Sequence, residues 1–455
     1  MKFTTTNPAT GEPLAEYDIA TPEQVKECIR NAREGFENWR RVPHSERAKF
    51  LMKLGKILKD RKHELAVVMT NEMGKIIRES EAEVAKCAWA FEFYAENAER
   101  FLSPEPVPVR DAANSYVAFD PLGVVAAIMP WNFPMWQLSR FAAPALSVGN
   151  TTLFKPASVT PQSGLNLEKA FDEAGFPDGC FKTILGDSRI ADQLIDDPGT
   201  DAVTFTGSVD AGMKVGERAG RNLKKTVLEL GGSDPFIVLD DADLETATTG
   251  AVTGRFVNCG QSCIAAKRFI VVKSVANQFT EQFVSKVKKL KVGDPLKAET
   301  DIGPMVREKA LKEVDAQVKA SVQMGAIVVT GGERIDRPGF FYAPTVLTNV
   351  TTAMPVMREE VFGPAAPIYV AEDADEAVTV ANSSPFGLGA SIWTQNLKDA
   401  ERYCREIQSG VVTVNNIVSS DPRIPFGGVK KSGIGRELGR YGLLEFANVK
   451  AIRVY

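Results

Sequence analysis

Apolar side chains recur every three or four residues between positions 21 and 99: Val25, Ile29, Ala32 and Phe36, then Phe50, Leu51, Leu54, Ile57 and Leu58. That period matches one face of an α-helix, so the segment is expected to form a helical N-terminal block. Thr21-Pro22-Glu23 gives its first helix a physical start, a threonine cap followed by proline at the first helical position. The pattern changes after residue 100. FLSPEPVPV carries three prolines and is followed by the alternating NSYVAF, so 101–121 reads as an extended arm or hairpin. At 123–129 the run VVAAIM is apolar without a break, as in a strand covered on both faces.

From there strands and helices alternate. The pattern predicts strand 151–154 and helix 162–174, strand 181–184 and helix 189–196, then strand 202–205 and helix 211–219. A second series starts near Gly232 and runs through 236–239, 269–272, 279–290, 326–329, 366–370 and 374–381. Such alternation predicts doubly wound α/β domains built on parallel sheets. The last residues, 449–455, read as a strand with no helix after it, a tail suited to pairing with another subunit.

At 455 residues the chain is too long for one ordinary core and suggests about three units. Its formal net charge of -4 offers no basic field for a nucleic-acid backbone or an anionic membrane, so a small molecule is the expected partner. The start, MKFTTTNPATGEPL, lacks the basic stretch and apolar run of a signal peptide, and no apolar run nears the roughly 20 residues of a membrane span. The cytoplasm is the expected compartment. Cys28, Cys87, Cys180, Cys259, Cys263 and Cys404 show neither the paired spacing of a disulfide framework nor that of a zinc site, and no metal is expected. With only His44 and His63 available, acid–base chemistry must come from carboxylates, Lys, Cys or Tyr.

Four short pieces could carry chemistry. In Phe205-Thr-Gly-Ser-Val-Asp-Ala-Gly212, glycines follow a strand and open a helix, where backbone N–H groups attract phosphate. The spacing is not that of the G-x-G-x-x-G dinucleotide fingerprint, and a plain strand-to-helix turn reads the same way. Asn258-Cys-Gly-Gln-Ser-Cys263 is a polar loop in which a thiol could act as nucleophile or could be an inert buried cysteine. Leu228-Glu-Leu-Gly-Gly232 sets one carboxylate among apolar neighbours, which suits a general base, although a lone Glu is more often solvated surface. Pro130-Trp-Asn-Phe-Pro134 is a rigid turn that displays an amide at a strand's carboxyl end, where open α/β sheets bind ligands.

Taken together and in order, PWNFP, FTGS-x-x-x-G, LELGG, GQSC, EVFGP at 360–364 and PFGGVKKSGIGRE at 425–437 resemble the motif set of the aldehyde dehydrogenase superfamily over nearly the whole chain. The resemblance implies a fold of two doubly wound α/β domains with a small β oligomerisation element. It assigns 1–100 and 122–231 to a nicotinamide cofactor-binding domain, 232–433 to a catalytic domain, and 101–121 with 434–455 to the oligomerisation element. A homo-oligomer, dimer or tetramer, is expected.

By the same resemblance Cys263 is the nucleophile that adds to an aldehyde, and the Asn132 amide with the Cys263 backbone N–H holds the oxyanion. Glu229 is the general base that activates water to hydrolyse the thioester. Relatives that pass the acyl group to coenzyme A usually lack that carboxylate, so a free acid is the expected product. Lys155 is matched to the lysine on the adenosine ribose, with Ile128, Trp131, Asn132, Gly207, Ser208, Leu230, Glu360 and Phe362 completing the cofactor contacts. Three positions after Lys155, many NAD-specific relatives carry a Glu; this chain has Ser158, which removes the repulsion of a 2′-phosphate. NADP is therefore expected, with NAD also accepted.

The short chain, LELGGSDPFIVL and SSDPRIPFGGVKKSG are most similar to bacterial succinate-semialdehyde dehydrogenases. Arg140, eight residues after Asn132, is expected on the same helix face about 12 Å away, as a clamp for a distal carboxylate. Trp136 and Ser420 are its expected companions, with Ser419 beside them in the loop at the substrate mouth. The alternatives are a small neutral or hydroxylated aldehyde such as lactaldehyde or glyceraldehyde, a coenzyme A-acylating enzyme, and a family member retired to a binding role. Cys259, four residues before Cys263, raises a reversible disulfide with it.

Overall fold

The computed structural model describes all of residues 1–455. Four helices form the N-terminal block: Pro22–Trp39, His44–Asp60, Lys62–Met73 and Ile77–Phe101. The first begins as its sequence requires. Thr21 caps Gln24 N–H, and the Gln24 side chain accepts from the Thr21 N–H in return. Two strands, Lys2–Thr6 and Pro13–Asp18, precede the block as an antiparallel pair that the hydrophobic pattern does not announce, because nearly all their residues face solvent.

The first large sheet runs in the order Gly433–Ile434, Lys225–Glu229, Ala202–Thr206, Val124–Ile128, Thr151–Lys155 and Phe181–Thr183. All its pairs are parallel except that of Gly433–Ile434 with Lys225–Glu229. Val124–Ile128 is buried at every position, as the unbroken VVAAIM run requires. The register sets Ile128 beside Lys155 on one side and Phe205 on the other, with Thr206 beside Glu229. Residues distant in sequence thus converge on the carboxyl edge of one sheet.

The second sheet has seven strands in the order Ile327–Thr330, Thr345–Thr348, Ala365–Ala371, Ala266–Val272, Asp234–Val238, Gly389–Trp393 and Val411–Val414. Only the edge strand Ile327–Thr330 is antiparallel, and it alternates exposed and half-buried residues. Ala266–Val272 is wholly buried although it contains Lys267 and Arg268. Arg268 is satisfied by the carbonyls of Ser233, Val380 and Ala381 at 2.9 Å, so its burial leaves no orphan donor there.

The proline-rich arm and the C-terminal strand come together as expected. Ala447–Val454 pairs antiparallel with Asn114–Pro121, which in turn pairs with Glu105–Pro106, in a separate three-stranded sheet with largely exposed faces. The tail therefore finds its first partner in its own chain. No helix is long and apolar enough to cross a membrane.

Candidate active site

The helix Leu244–Phe256 ends in a tight turn in which Asn258 (φ 51°) and Cys259 (φ 55°) are left-handed. Side chains on all sides hold this turn. Glu79 accepts from Asn258 N at 2.8 Å, Asn258 Nδ2 donates to Asn132 O at 2.8 Å, and Asn132 Nδ2 donates to Gln261 O at 3.1 Å. Lys267 Nζ donates to the carbonyls of Ser262 and Cys263 at 2.7 and 2.6 Å. The loop that displays Cys263 is thereby tied to the Pro130–Pro134 turn and to the second sheet.

Burial pushes the Cys263 thiol up to about 11, although the charges of Arg140 and Lys267 pull it down. Its resting form is the thiol. Cys259 is pushed up to about 12 by burial, and its Sγ lies 3.8 Å from Met305 Sδ. All six cysteines are free. The thiol of Cys259 is turned toward Met305, so the structure does not bring it to Cys263 for the disulfide that the spacing raised.

Cys263 stands between two cavities. One has a volume of about 740 Å³ and the other about 240 Å³, and Cys263 and Gln137 are the two residues that line both. The larger falls within the usual range for small-molecule sites. Trp131, Asn132, Gly207, Ser208, Leu230, Glu360 and Phe362 all line it. Ser208 caps the helix Val209–Arg221 through Ala211 N at 3.4 Å, so a helix N-terminus opens onto this space and favours an anion there. Phe362 meets Trp131 edge-on at 5.8 Å, and Glu360 accepts from Gly232 N at 3.1 Å while pairing with Lys267 at 3.3 Å. A diphosphate-linked ligand with a flat ring fits this set of a helix terminus, an aromatic pair and a fixed carboxylate. Lys155, Ser158 and Ile128 do not line that cavity. They lie along the same sheet edge, where Lys155 Nζ donates to Pro156 O at 2.8 Å and Ser158 is exposed. Burial brings Lys155 down to about 8, with Asp187 opposing it.

The smaller cavity is lined by Trp136, Arg140, Ser419 and Ser420, and also by Lys86. Ser420 Oγ accepts from Trp136 Nε1 at 3.0 Å and from Lys86 Nζ at 2.9 Å. The expected geometry of Arg140 needs correction. Asn132 lies before the helix Trp136–Val148, so the helical spacing used to set Arg140 on its face does not apply. The guanidinium is paired with Glu437, and both residues are 2 % exposed. Arg140 also donates to Thr206 Oγ1 at 3.3 Å and stacks 4.9 Å from the Phe426 ring. It lines the cavity as a cation that a buried acid also faces. Lys86 carried no distinct signal in the sequence, since its helix holds many charged residues, Arg78, Glu79, Glu81 and Glu83 among them.

Glu229 ends the strand Lys225–Glu229, and its neighbours Leu230 and Gly231 line the larger cavity. Its own carboxylate lines neither cavity. It is buried, no donor reaches either oxygen, and burial raises its pKa well above the usual carboxylate range, with Arg140 opposing and Glu437 adding to the rise. A carboxyl group with a raised pKa suits a general base.

Comparison with known proteins gives a consistent set of findings. The description "Aldehyde dehydrogenase family" matches residues 1–452. A protein of Synechocystis sp. described as "Probable succinate-semialdehyde dehydrogenase [NADP(+)]" is 47% identical over 452 residues, covering 99% of both chains. A Mycobacterium tuberculosis protein, "Succinate-semialdehyde dehydrogenase [NADP(+)] 1", is 46% identical over 454 residues, again covering 99% of both. Among solved structures, an E. coli NADP dependent enzyme superposes with a TM-score of 0.98 at 35% identity, covering 100% of this chain and 95% of that one.

Proposed function

The chain belongs to the aldehyde dehydrogenase family, and from that premise we propose that it oxidises succinate semialdehyde to the dicarboxylic acid with NADP, NAD also serving. The observation that carries the reading is the placement of Cys263 between a cavity sized for a dinucleotide and a narrow one ending in hydrogen-bond donors. The cofactor falls to Trp131, Asn132, Gly207, Ser208, Leu230, Glu360 and Phe362 around the large cavity, with Ile128, Lys155 and Ser158 along the sheet edge. Bound there, the nicotinamide supplies the hydride acceptor that turns an aldehyde adduct on Cys263 into a thioester.

This chain's residues do the rest. Cys263 Sγ releases its proton to solvent and adds to the carbonyl carbon, and the carbonyl π pair moves onto the oxygen. The second N–H of the Asn132 amide, with the Cys263 backbone N–H, faces the oxygen that gains charge. Glu229 turns about its side-chain bonds toward the thioester, takes a proton from water, and the hydroxide displaces the thiolate. The balance is one aldehyde, one oxidised cofactor and one water giving one carboxylate, one reduced cofactor and two protons. Trp136 and Ser420 form the wall of the aldehyde cavity, and Arg140 supports it through Glu437. The exposed edge strand Ala447–Val454 suits assembly into a homo-oligomer.

Initial rates on succinate semialdehyde, lactaldehyde and butyraldehyde, each with NADP and with NAD, test the reading. The expected result is a kcat/KM highest for succinate semialdehyde with NADP. Equal or higher values on the neutral aldehydes refute the substrate, and a strict need for coenzyme A refutes hydrolysis. Ser158→Glu is expected to cut kcat/KM for NADP by about 30- to 100-fold while leaving NAD within about threefold, since a carboxylate there repels the 2′-phosphate. An unchanged cofactor ratio would place the phosphate elsewhere.

A further inference from the structure

Two carboxylates of the helix Ile77–Phe101 each hold a different half of the site. Glu79 and Glu83 stand one helical turn apart on the same face. Glu79 Oε2 accepts from Asn258 N at 2.8 Å, and Glu83 Oε1 accepts from both Met135 N and Trp136 N at 2.9 Å. The first bond fixes the turn that leads to Cys263. The other two fix the chain where it leaves the Pro130–Pro134 turn, which carries Asn132. That turn follows the strand Val124–Ile128 of the first sheet, whereas the Cys263 loop precedes the strand Ala266–Val272 of the second, so one helix grips segments that belong to separate sheets. The two segments are also bonded to each other, Asn258 Nδ2 to Asn132 O at 2.8 Å and Asn132 Nδ2 to Gln261 O at 3.1 Å. Helix, turn and loop thus close a ring in which each member is tied to the other two.

Both carboxylates take up donors that the local backbone cannot satisfy. The helix Trp136–Val148 receives no side-chain cap from Met135, so its first N–H groups have no partner within it, and Glu83 accepts them from outside. Asn258 and Cys259 are left-handed, a conformation that side chains disfavour, and the Asn258 N–H lies outside any helix ladder. Glu79 holds it, and this is the one hydrogen bond from the protein that the Glu79 carboxylate accepts. The charge of Glu83 is answered where it sits. Lys75 pairs with it, both side chains buried, and the ammonium lies 3.8 Å from the Phe133 ring within the same turn as Asn132. Glu79 forms no salt bridge, so its charge strengthens a single bond to one amide.

We propose that Glu79 and Glu83 are positioning residues that set the spacing of the two oxyanion donors, the Asn132 amide and the Cys263 backbone N–H, with Glu79 holding the Cys263 loop in register. The proposal rests on the Cys263 chemistry of the proposed function and adds the part that places its donors. Such donors act only where the charge develops, and a misplacement of about 1 Å costs about 100-fold in rate. Alkylation of the same thiol by iodoacetamide releases iodide and puts no charge on a substrate oxygen. It needs the thiol and not the donors, so the two reactions separate a shifted donor from a displaced loop.

The test measures kcat and KM with NADP, on the aldehyde that the wild type oxidises fastest, together with the rate of alkylation of Cys263 by iodoacetamide. Glu79→Met keeps the bulk of the side chain and removes the acceptor, whereas Glu79→Gln keeps an oxygen for the Asn258 N–H. In Glu79→Met kcat is expected to fall about 10- to 100-fold, with KM and the alkylation rate within about threefold of the wild type. Glu79→Gln restores kcat to within about threefold. Glu83 is tested together with its partner, because Lys75 left alone would be a buried unpaired charge. Lys75→Met with Glu83→Gln is expected to stay within about fivefold of the wild type, and Lys75→Met with Glu83→Met to fall as Glu79→Met does. Calorimetry with NADP reports that each variant is folded. Wild-type kcat in Glu79→Met overturns the proposal, as does an alkylation rate that falls in step with kcat, or a Glu79→Gln as slow as Glu79→Met. A wild type that oxidises no aldehyde, or a Cys263→Ala variant that still does, refutes the chemistry beneath the proposal, and does so before any Glu79 variant is compared.

Discussion

Cys263→Ala is expected to lower aldehyde oxidation by at least about 10⁵-fold, the scale on which removing a catalytic nucleophile acts. No other cysteine lines either cavity, so no thiol stands in reserve. The variant should still bind NADP with near wild-type affinity, since the large cavity keeps the rest of its lining. Calorimetry with NADP alongside rate measurements checks both halves. Residual turnover within about a hundredfold of the parent would move the nucleophile to another residue. The wild-type thiol carries a companion expectation. With a pKa near 11, only about one molecule in 10⁴ is thiolate at neutral pH, and that fraction grows about tenfold per pH unit. Alkylation by iodoacetamide should therefore accelerate about tenfold per unit between about pH 7 and 9. A plateau below about pH 8 would mean that Arg140 and Lys267 outweigh burial.

Glu229→Gln separates the two halves of the reaction. The amide cannot accept a proton from water, so the thioester should form at close to the normal rate and then persist. Rapid mixing is expected to show a burst of reduced cofactor approaching one equivalent per site, followed by a steady rate lower by about 10²- to 10⁴-fold. Mass spectrometry of the quenched protein should find the acyl group on Cys263. A steady rate lowered without a burst would place the requirement for Glu229 before thioester formation. The expected size of the effect follows from the nook in which the carboxyl rests. It is buried without a hydrogen-bond donor, which raises its pKa well above the usual carboxylate range, and contact with water favours the ionised form that can take up a proton. In the proposed mechanism hydrolysis begins with a side-chain movement that glutamine can copy in shape but not in chemistry.

The sequence carried the local parts of this site. The VVAAIM run gave the central strand and the PWNFP turn after it, because a strand buried on both faces needs unbroken apolar residues. Thr21-Pro22 announced the first helix through its cap. GQSC, LELGG and EVFGP marked residues that the fold brings to one place. Less legible was anything decided by pairing between distant segments. Arg140 and Glu437 are buried together, and neither sequence neighbourhood shows that the other exists. Lys86 was masked by the helical period around it, which reads as core packing with a solvated polar face. The direction of the Cys259 thiol depends on two left-handed residues that no periodicity announces. The antiparallel edge at Ile327–Thr330 follows from its register with Thr345–Thr348, a strand that the apolar pattern did not single out.

The partition formed by Cys263 and Gln137 also governs traffic. Because both residues line both cavities, the dinucleotide and the aldehyde of the proposed reaction each have a cavity of their own beside the thiol. The acid can retreat by the route the aldehyde used while the reduced dinucleotide departs on the far side. Neither departure then has to wait for the other.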